Sequence, residues 1–91
     1  MENTFEQITT QMNQIYQAKN KDYGNSFSST LDDFGLVAGV VRLFDKMNRI
    51  KTLCKGQKAE VKESLEDTFL DLANYSVMCL MWIRTHDLSS F

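Results

Sequence analysis

Residues 60–75 read EVKESLEDTFLDLANY, and this stretch decides the fold of the chain. Its polar and apolar side chains recur every three to four residues, which predicts a single α-helix. At about 100° per residue, five of its polar side chains share a stripe about 80° wide. These five residues form what we call the acidic stripe: Glu60, Glu63, Asp67, Asp71 and Asn74.

The acidic stripe continues from the polar start of this helix into its apolar half, where carboxylates are seldom buried without a partner. We therefore expect something cationic to face it: lysine or arginine from a neighbouring helix, a divalent metal, or both. A solvated helix face is the alternative. That alternative fits Glu60 and Glu63 better than Asp67, Asp71 and Asn74, which lie among apolar residues.

The N-terminal segment predicts a first helix over about residues 4–19. Its apolar side chains follow helical spacing, which makes one core-facing stripe. A capping box can start this helix in two ways, through Asn3 with Glu6 or through Thr4 with Gln7. Either pair would satisfy backbone N–H groups that a helix leaves without partners in its first turn.

Residues 20–29 mix turn formers with the aromatic residues Tyr23 and Phe27, and they predict a loop. A solvated linker seldom carries two aromatic side chains, so we expect this loop to do more than connect. A second helix should follow from position 30 or 31 to about position 54. The pair Lys55-Gly56 is typical of a helix C-terminus.

The third helix should run from about Lys58 to His86 and be roughly 40 Å long. A chain of 91 residues cannot cover such a helix, whose C-terminal half is apolar around most of its circumference. The fold class is therefore all-α: one domain, residues 1–91, in which a three-helix protomer assembles into an oligomeric four-helix-type bundle. A poorly ordered C-terminal end is the alternative.

The composition limits where in the cell the protein is expected and which partners it is expected to bind. A net charge of −2 gives no bulk attraction to DNA or to an anionic membrane, so neither is an expected partner. The apolar run at 72–83 is too short to span a bilayer, and no secretory signal is visible. Cys54 and Cys79 have no metal-binding or redox spacing. Free thiols and a cytoplasmic location are the expectation.

Three polar groups of residues can carry chemistry: the acidic stripe, the aromatic-bearing loop at 19–27, and a basic face on helix two. The basic face contains Arg42, Lys46 and Arg49, with Asp45 beside them. Carboxylates can hold Mg²⁺, basic side chains neutralise phosphate oxygens, and an aromatic ring can stack on a base. The pattern fits a phosphorylated, base-bearing small molecule. A structural network of ion pairs between the two charged faces is the alternative.

Several segments together resemble the Nucleotide modification associated domain 1 family, small helical proteins common in phages and their hosts. The resemblance is carried by KNKDYGNSF at 19–27, Gly35, RLFDK at 42–46 with Arg49, ESLEDT at 63–68 and DLANY at 71–75. It covers roughly residues 5–83. That family in turn looks related to the MazG-like all-α nucleoside triphosphate pyrophosphohydrolases.

In MazG-like enzymes a helix carries Glu, then Asp four residues on, then Asn seven further, and these side chains bind Mg²⁺ and nucleotide phosphates. Glu63, Asp67 and Asn74 match that spacing. The resemblance implies an oligomeric helical bundle with its site between helices. The chain departs from the pattern in one respect, because the preceding helix offers only Asp45 in place of a second acidic cluster. Binding is therefore favoured over catalysis.

We expect a MazG-related protein that binds a nucleotide or another phosphorylated small molecule and associates with itself. Whether it is an enzyme stays open: a Mg²⁺-dependent nucleoside triphosphate pyrophosphohydrolase, or a phage-type protein that sequesters a signalling nucleotide. A structural interaction module is the third hypothesis. The candidate binding residues are Lys19, Asn20, Asp22, Tyr23, Ser26, Phe27, Arg42, Lys46, Arg49 and Asn74. The candidate Mg²⁺ ligands are Glu63, Asp67 and Asp71.

Overall fold

The computed structural model describes residues 3–23, 25–56 and 59–86, without the side chains of residues 22, 23, 59 and 60. This part of the chain is helical and contains no strand, which confirms the all-α prediction. Its helices are α1 (Phe5–Tyr23), α2 (Ser26–Phe34), α3 (Leu36–Leu53) and α4 (Ala59–Arg84). The prediction of a three-helix protomer is wrong, because four helices lie within the described ranges.

The extra helix arises at Gly35, where the predicted second helix divides into α2 and α3. Gly35 has φ 80° and ψ −178°, a conformation that is open essentially to glycine alone. Its N–H donates to the Leu31 carbonyl at 2.8 Å and so ends α2, while its carbonyl accepts from Ala38 N–H at 3.1 Å. The apolar periodicity runs on through this position, so the sequence pattern does not reveal the break.

The predicted loop at 20–29 is also mostly helical. α1 continues to Tyr23 and α2 already begins at Ser26. Asparagine costs a helix only a few tenths of a kcal/mol, and Asn20 does not compete for the helix backbone here. Its side-chain Nδ2 instead donates to Asn25 Oδ1 at 3.1 Å, just before α2. The turn formers therefore mark a short corner between two helices.

The start of α1 follows one of the two predicted capping boxes. Gln7 N–H donates to Thr4 Oγ1 at 3.1 Å, and Thr4 N–H donates to Gln7 Oε1, also at 3.1 Å. These reciprocal bonds satisfy donors that the first turn leaves without partners.

α4 is the organising element, with 26 residues against 19, 9 and 18 for the others. α3 packs along it most extensively, and α1 and α2 also contact it. α3 comes close to α4 at Gly39, where an added Cβ would lie 2.6 Å from Cys79 Sγ. Gly39 therefore lets the two helix backbones come together. None of the described helices has the length and apolarity needed to cross a membrane.

The buried core of the described chain is small for its apolar content. Its buried hydrophobic residues are Leu31, Ile50, Cys79 and Trp82. One side of α3 exposes Val37, Val40, Val41, Phe44 and Met47, which we call the α3 outer stripe.

Candidate functional site

A cleft of about 260 Å³ opens between α1, the beginning of α2 and α4. Three helices supply its walls because α1 and α2 both contact α4. Its lining consists of Tyr16, Lys19, Asn20, Ser26, Phe27, Asp71, Asn74, Tyr75 and Met78. Six of these nine belong to the sequence-predicted site residues.

The charged end of the cleft is built on Asp71. Its Oδ1 accepts from Lys19 Nζ of α1 at 2.8 Å, and its Oδ2 accepts from Lys46 Nζ of α3 at 3.2 Å. The expectation that a cation faces the acidic stripe is thus confirmed at this position. One carboxylate joins three helices, and each of its oxygens already has a cationic partner.

These contacts shift the pKa values of Asp71 and Lys19. Partial burial raises the pKa of the Asp71 carboxyl, but the hydrogen bonds from Lys19 and Lys46 together outweigh it. The Asp71 pKa therefore lies below its ordinary value of 3.8. The hydrogen bond to Asp71 raises the pKa of Lys19 above its ordinary value of 10.5. At neutral pH the cluster holds opposite charges that are mutually stabilised.

Aromatic rings lie directly beside this ionic end. The Phe27 and Tyr75 rings meet edge to face, with centroids 4.9 Å apart and planes at 64°. Arg42 Nη1 donates to Tyr75 Oη at 3.0 Å, and the guanidinium carbon lies 5.1 Å from the Tyr75 ring centroid and 5.8 Å from that of Phe27. Lys46 Nζ lies 5.7 Å from the Tyr75 centroid. Positive charge and π surfaces are therefore adjacent.

Asn74 is buried and carries out a packing role as well as lining the cleft. Its Nδ2 donates to the Met12 carbonyl of α1 at 3.1 Å. This bond fixes α1 against α4 at the cleft wall. The side-chain oxygen of Asn74 can still accept a hydrogen bond.

The other predicted residues divide into three sets. Arg42 and Lys46 of α3 do not line the cleft, but each contacts a residue that does: Arg42 binds Tyr75, and Lys46 binds Asp71. Arg49 is exposed further along α3 and does not line the cleft. The side chains of Asp22 and Tyr23 lie outside the described residues.

The predicted Mg²⁺ ligands do not come together. Glu63 and Asp67 are exposed, while Asp71 is engaged by two lysines. Across the described ranges, no three His, Cys, Asp or Glu side chains form a group that could hold a metal ion. The Mg²⁺ site stays a prediction, and these residues as placed do not fit it.

Sequence reasoning missed Tyr16, Tyr75 and Met78 as lining residues. Tyr16 shares a face with Lys19 and Asn20, because residues three and four apart are neighbours on a helix. Tyr75 and Met78 likewise follow Asp71 at four and seven residues on α4. Helical spacing from the charged residues was the signal that could have found them.

The fold and the cleft define a small all-helical protein with a cation-flanked, aromatic-lined site. A profile of the family described as Nucleotide modification associated domain 1 matches residues 19–83, and the chain belongs to this family. The matched segment contains every lining residue of the cleft except Tyr16. No curated protein and no solved structure matches the chain.

Proposed function

We propose that this protein binds a nucleotide in the cleft. The observation that carries the proposal is the placement of Arg42 and Lys46 against the Phe27–Tyr75 ring pair. Lys19 lines the same cleft as these rings. Basic side chains bind phosphate oxygens through charge-assisted hydrogen bonds, and aromatic rings offer stacking faces to a base. The description of the family links it to nucleotides, which supports the same ligand class.

The charge balance of the site suits an anionic ligand. Lys19 and Lys46 share the carboxylate of Asp71, and a third cation, Arg42, donates to the hydroxyl of Tyr75 beside it. The site therefore keeps net positive charge when Asp71 is ionised. A phosphate group entering the cleft would compete with Asp71 for the two lysines, or share them with it.

Hydrolysis is the second hypothesis, through a relationship to MazG-like pyrophosphohydrolases. It would need Mg²⁺, whose chemistry is to activate water and neutralise phosphate charge. Glu63, Asp67 and Asp71 have the helical spacing for such a role, but two are exposed and the third is paired with lysines. Binding without turnover, which includes sequestering a signalling nucleotide in phage–host conflict, therefore ranks first.

A structural role for the charges is the third hypothesis. The observation in its favour is that both oxygens of Asp71 are already used, one by each lysine. If this ion-pair network serves only to hold α1, α3 and α4 together, substitution of Lys19 should change stability without any change in ligand binding.

We also propose that the protein associates with itself. The support is the set of large apolar side chains that α3 leaves exposed, among them Val37 at 70% and Phe44 at 64%. A protein–protein interface of ordinary size buries about 800 Å² on each partner. The α3 outer stripe supplies the kind of apolar surface that a second copy would cover.

A nucleotide panel tests these hypotheses together. The protein is incubated with ribo- and deoxyribonucleoside mono-, di- and triphosphates, with and without Mg²⁺, and both bound and released material are identified. Intact ligand recovered after denaturation supports binding, and released pyrophosphate with monophosphate supports hydrolysis. Absence of bound and converted nucleotide across the panel contradicts the proposal.

A matched pair of lysine variants locates the site. Lys19→Ala removes a cation from the cleft, and Lys21→Ala removes an exposed cation from the same helix outside it. Loss of a charge-assisted hydrogen bond should weaken binding by about 1.5–3 kcal/mol in Lys19→Ala only. Equal affinities in the two variants would place the phosphate elsewhere.

A further inference from the structure

The cleft does not end at Phe27. A second chamber of about 210 Å³ adjoins it toward the C-terminal end of α4. Its lining consists of Tyr16, Asn20, Asn25, Phe27, Ser28, Met78, Met81, Trp82 and Thr85. Four of these residues, Tyr16, Asn20, Phe27 and Met78, line both spaces. The two chambers are therefore neighbours in one groove along α4.

The two chambers differ in charge. Lys19 and Asp71 line the first, whereas the described lining of the second contains no charged side chain. The second is walled by aromatic and thioether groups, among them Trp82, which is only 9% exposed. The Trp82 ring stacks on His86 with centroids 4.0 Å apart, and its Nε1 donates to Asp32 Oδ1 at 2.9 Å. An uncharged, aromatic chamber next to a cationic one matches a ligand with one planar apolar end and one anionic end.

The sizes of the chambers point to one ligand across both. Sites for small molecules usually have volumes of about 300–1,000 Å³. Each chamber alone, at about 260 and 210 Å³, is smaller than that range, and the two together fall within it.

Polar groups at the edge of the second chamber can form hydrogen bonds with the edge of a base. Asn20 Nδ2 donates to Asn25 Oδ1 at 3.1 Å, which orients both amides. This bond leaves the Asn25 amino group as a donor and the Asn20 carbonyl oxygen as an acceptor. The Ser28 hydroxyl adds a group that can donate or accept. Bases are recognised by such hydrogen bonds to their edges combined with stacking on aromatic side chains.

We infer that the second chamber is the base subsite of the nucleotide site, with the base against Phe27 and Trp82 and the phosphate toward Lys19. This inference rests on the proposed nucleotide-binding function and adds the direction in which the ligand lies. It assigns base selectivity to the corner between α1 and α2, where Asn20, Asn25 and Ser28 meet.

Trp82 is the only tryptophan of the chain and lines the second chamber, so the tryptophan emission of the protein comes from the wall of this chamber. The probes are the four ribonucleoside 5′-monophosphates and ribose 5-phosphate, which has the phosphate but no base. Each is titrated by calorimetry and by Trp82 emission, excited at the red edge of its absorption. We expect every monophosphate that gives heat of binding to change the emission, and ribose 5-phosphate to leave it unchanged.

Two matched variants on α2 add an independent measurement. Ser28→Phe fills the second chamber without touching Lys19 or Asp71, and Ser29→Phe adds the same ring at an exposed position outside both chambers. Ser28→Phe should weaken binding of the monophosphate about tenfold or more, the size of one lost base-stacking contact. Ser29→Phe should bind as the parent does.

A monophosphate that binds by calorimetry without changing Trp82 emission, or that binds Ser28→Phe as tightly as the parent, would overturn the base subsite and leave nucleotide binding intact. An equal emission change with ribose 5-phosphate would also overturn it. If no monophosphate or other nucleotide of the panel gives heat, the proposed function itself fails, and the base subsite fails with it.

Discussion

Lys19 and Asp71 are 52 positions apart in the sequence, and Lys19 Nζ lies 2.8 Å from Asp71 Oδ1. This ion pair joins the C-terminal part of α1 to the middle of α4. Because Lys46 of α3 binds the other oxygen of the same carboxylate at 3.2 Å, Asp71 sets both the charge and the shape of one end of the cleft.

Replacing Asp71 by asparagine should destabilise the protein. The substitution keeps the shape of the side chain but leaves two lysines without their anionic partner. The Asp71 side chain is 25% exposed, so the loss should lie between that of an exposed pair and that of a buried one, about 1–2 kcal/mol. Urea denaturation measures it. Asp67→Asn, at an exposed position one turn earlier, is the control and should change stability by less than about 0.5 kcal/mol.

The stability difference between the parent and Asp71→Asn should depend on pH, and the direction follows from the pKa shifts of Asp71 and Lys19. The Asp71 pKa is lowered in the folded state, so its contribution is present above 3.8 and is lost as the pH falls through the lower, folded value. The Lys19 pKa is raised, so its contribution is present below 10.5 and is lost as the pH rises through the higher, folded value.

The stability difference between parent and Asp71→Asn should therefore be largest near neutral pH and shrink in strong acid and in strong alkali. Denaturation curves of both proteins across pH measure this difference, and carboxylates that both proteins share cancel in the comparison. A difference that stays constant into strong acid would show that the ion pairs contribute nothing.

Gly39→Ala tests the close approach of α3 and α4. An alanine Cβ would lie 2.6 Å from Cys79 Sγ and 3.3 Å from Leu31 Cδ2. Overpacking typically costs about 1–3 kcal/mol, which outweighs the gain of about 1 kcal/mol from replacing glycine in a helix. Thermal melts should show net destabilisation. In a Cys79→Ala background the loss should shrink, and an equal loss in both backgrounds would mean that the sulfur is not the obstacle.

The proposed self-association should depend on the α3 outer stripe. Phe44 is 64% exposed at the centre of this stripe, and Phe44→Glu places a charge where a second copy would pack. Light scattering at micromolar concentration should show at least a dimer for the parent and a shift toward the monomer mass of 10.5 kDa for Phe44→Glu. Thr52→Glu, exposed outside the stripe, should associate as the parent does. A monomeric parent would end this proposal.

Local patterns predicted the elements better than their junctions. The long last helix was predicted correctly, and the capping box of Thr4 and Gln7 was one of the two predicted, because these signals lie within a few residues. The break at Gly35 was missed, because it accompanies the burial of Leu31, which is 1% exposed, between α2 and its neighbours. Such burial is a tertiary effect that periodicity does not encode.

The predictions about the site also divide into those that local chemistry supports and those that depend on how the helices pack. The sequence identified a cationic partner for the acidic stripe by its chemistry, since a carboxylate in an apolar setting needs one. It could not show that Lys19 of α1 and Lys46 of α3 both reach Asp71, because that depends on how three helices pack. The same limit explains why Arg49 was placed in the site although it does not line the cleft.

The central claim is that the cleft between α1, α2 and α4 binds a nucleotide, and amide chemical shifts measured by NMR during a nucleotide titration test it most directly. The account predicts saturable shifts concentrated around Lys19, Phe27, Asp71 and Tyr75, with the α3 outer stripe unaffected. Unchanged amide shifts at saturating concentrations of every nucleotide in the panel, or changes confined to the α3 outer stripe, would contradict it.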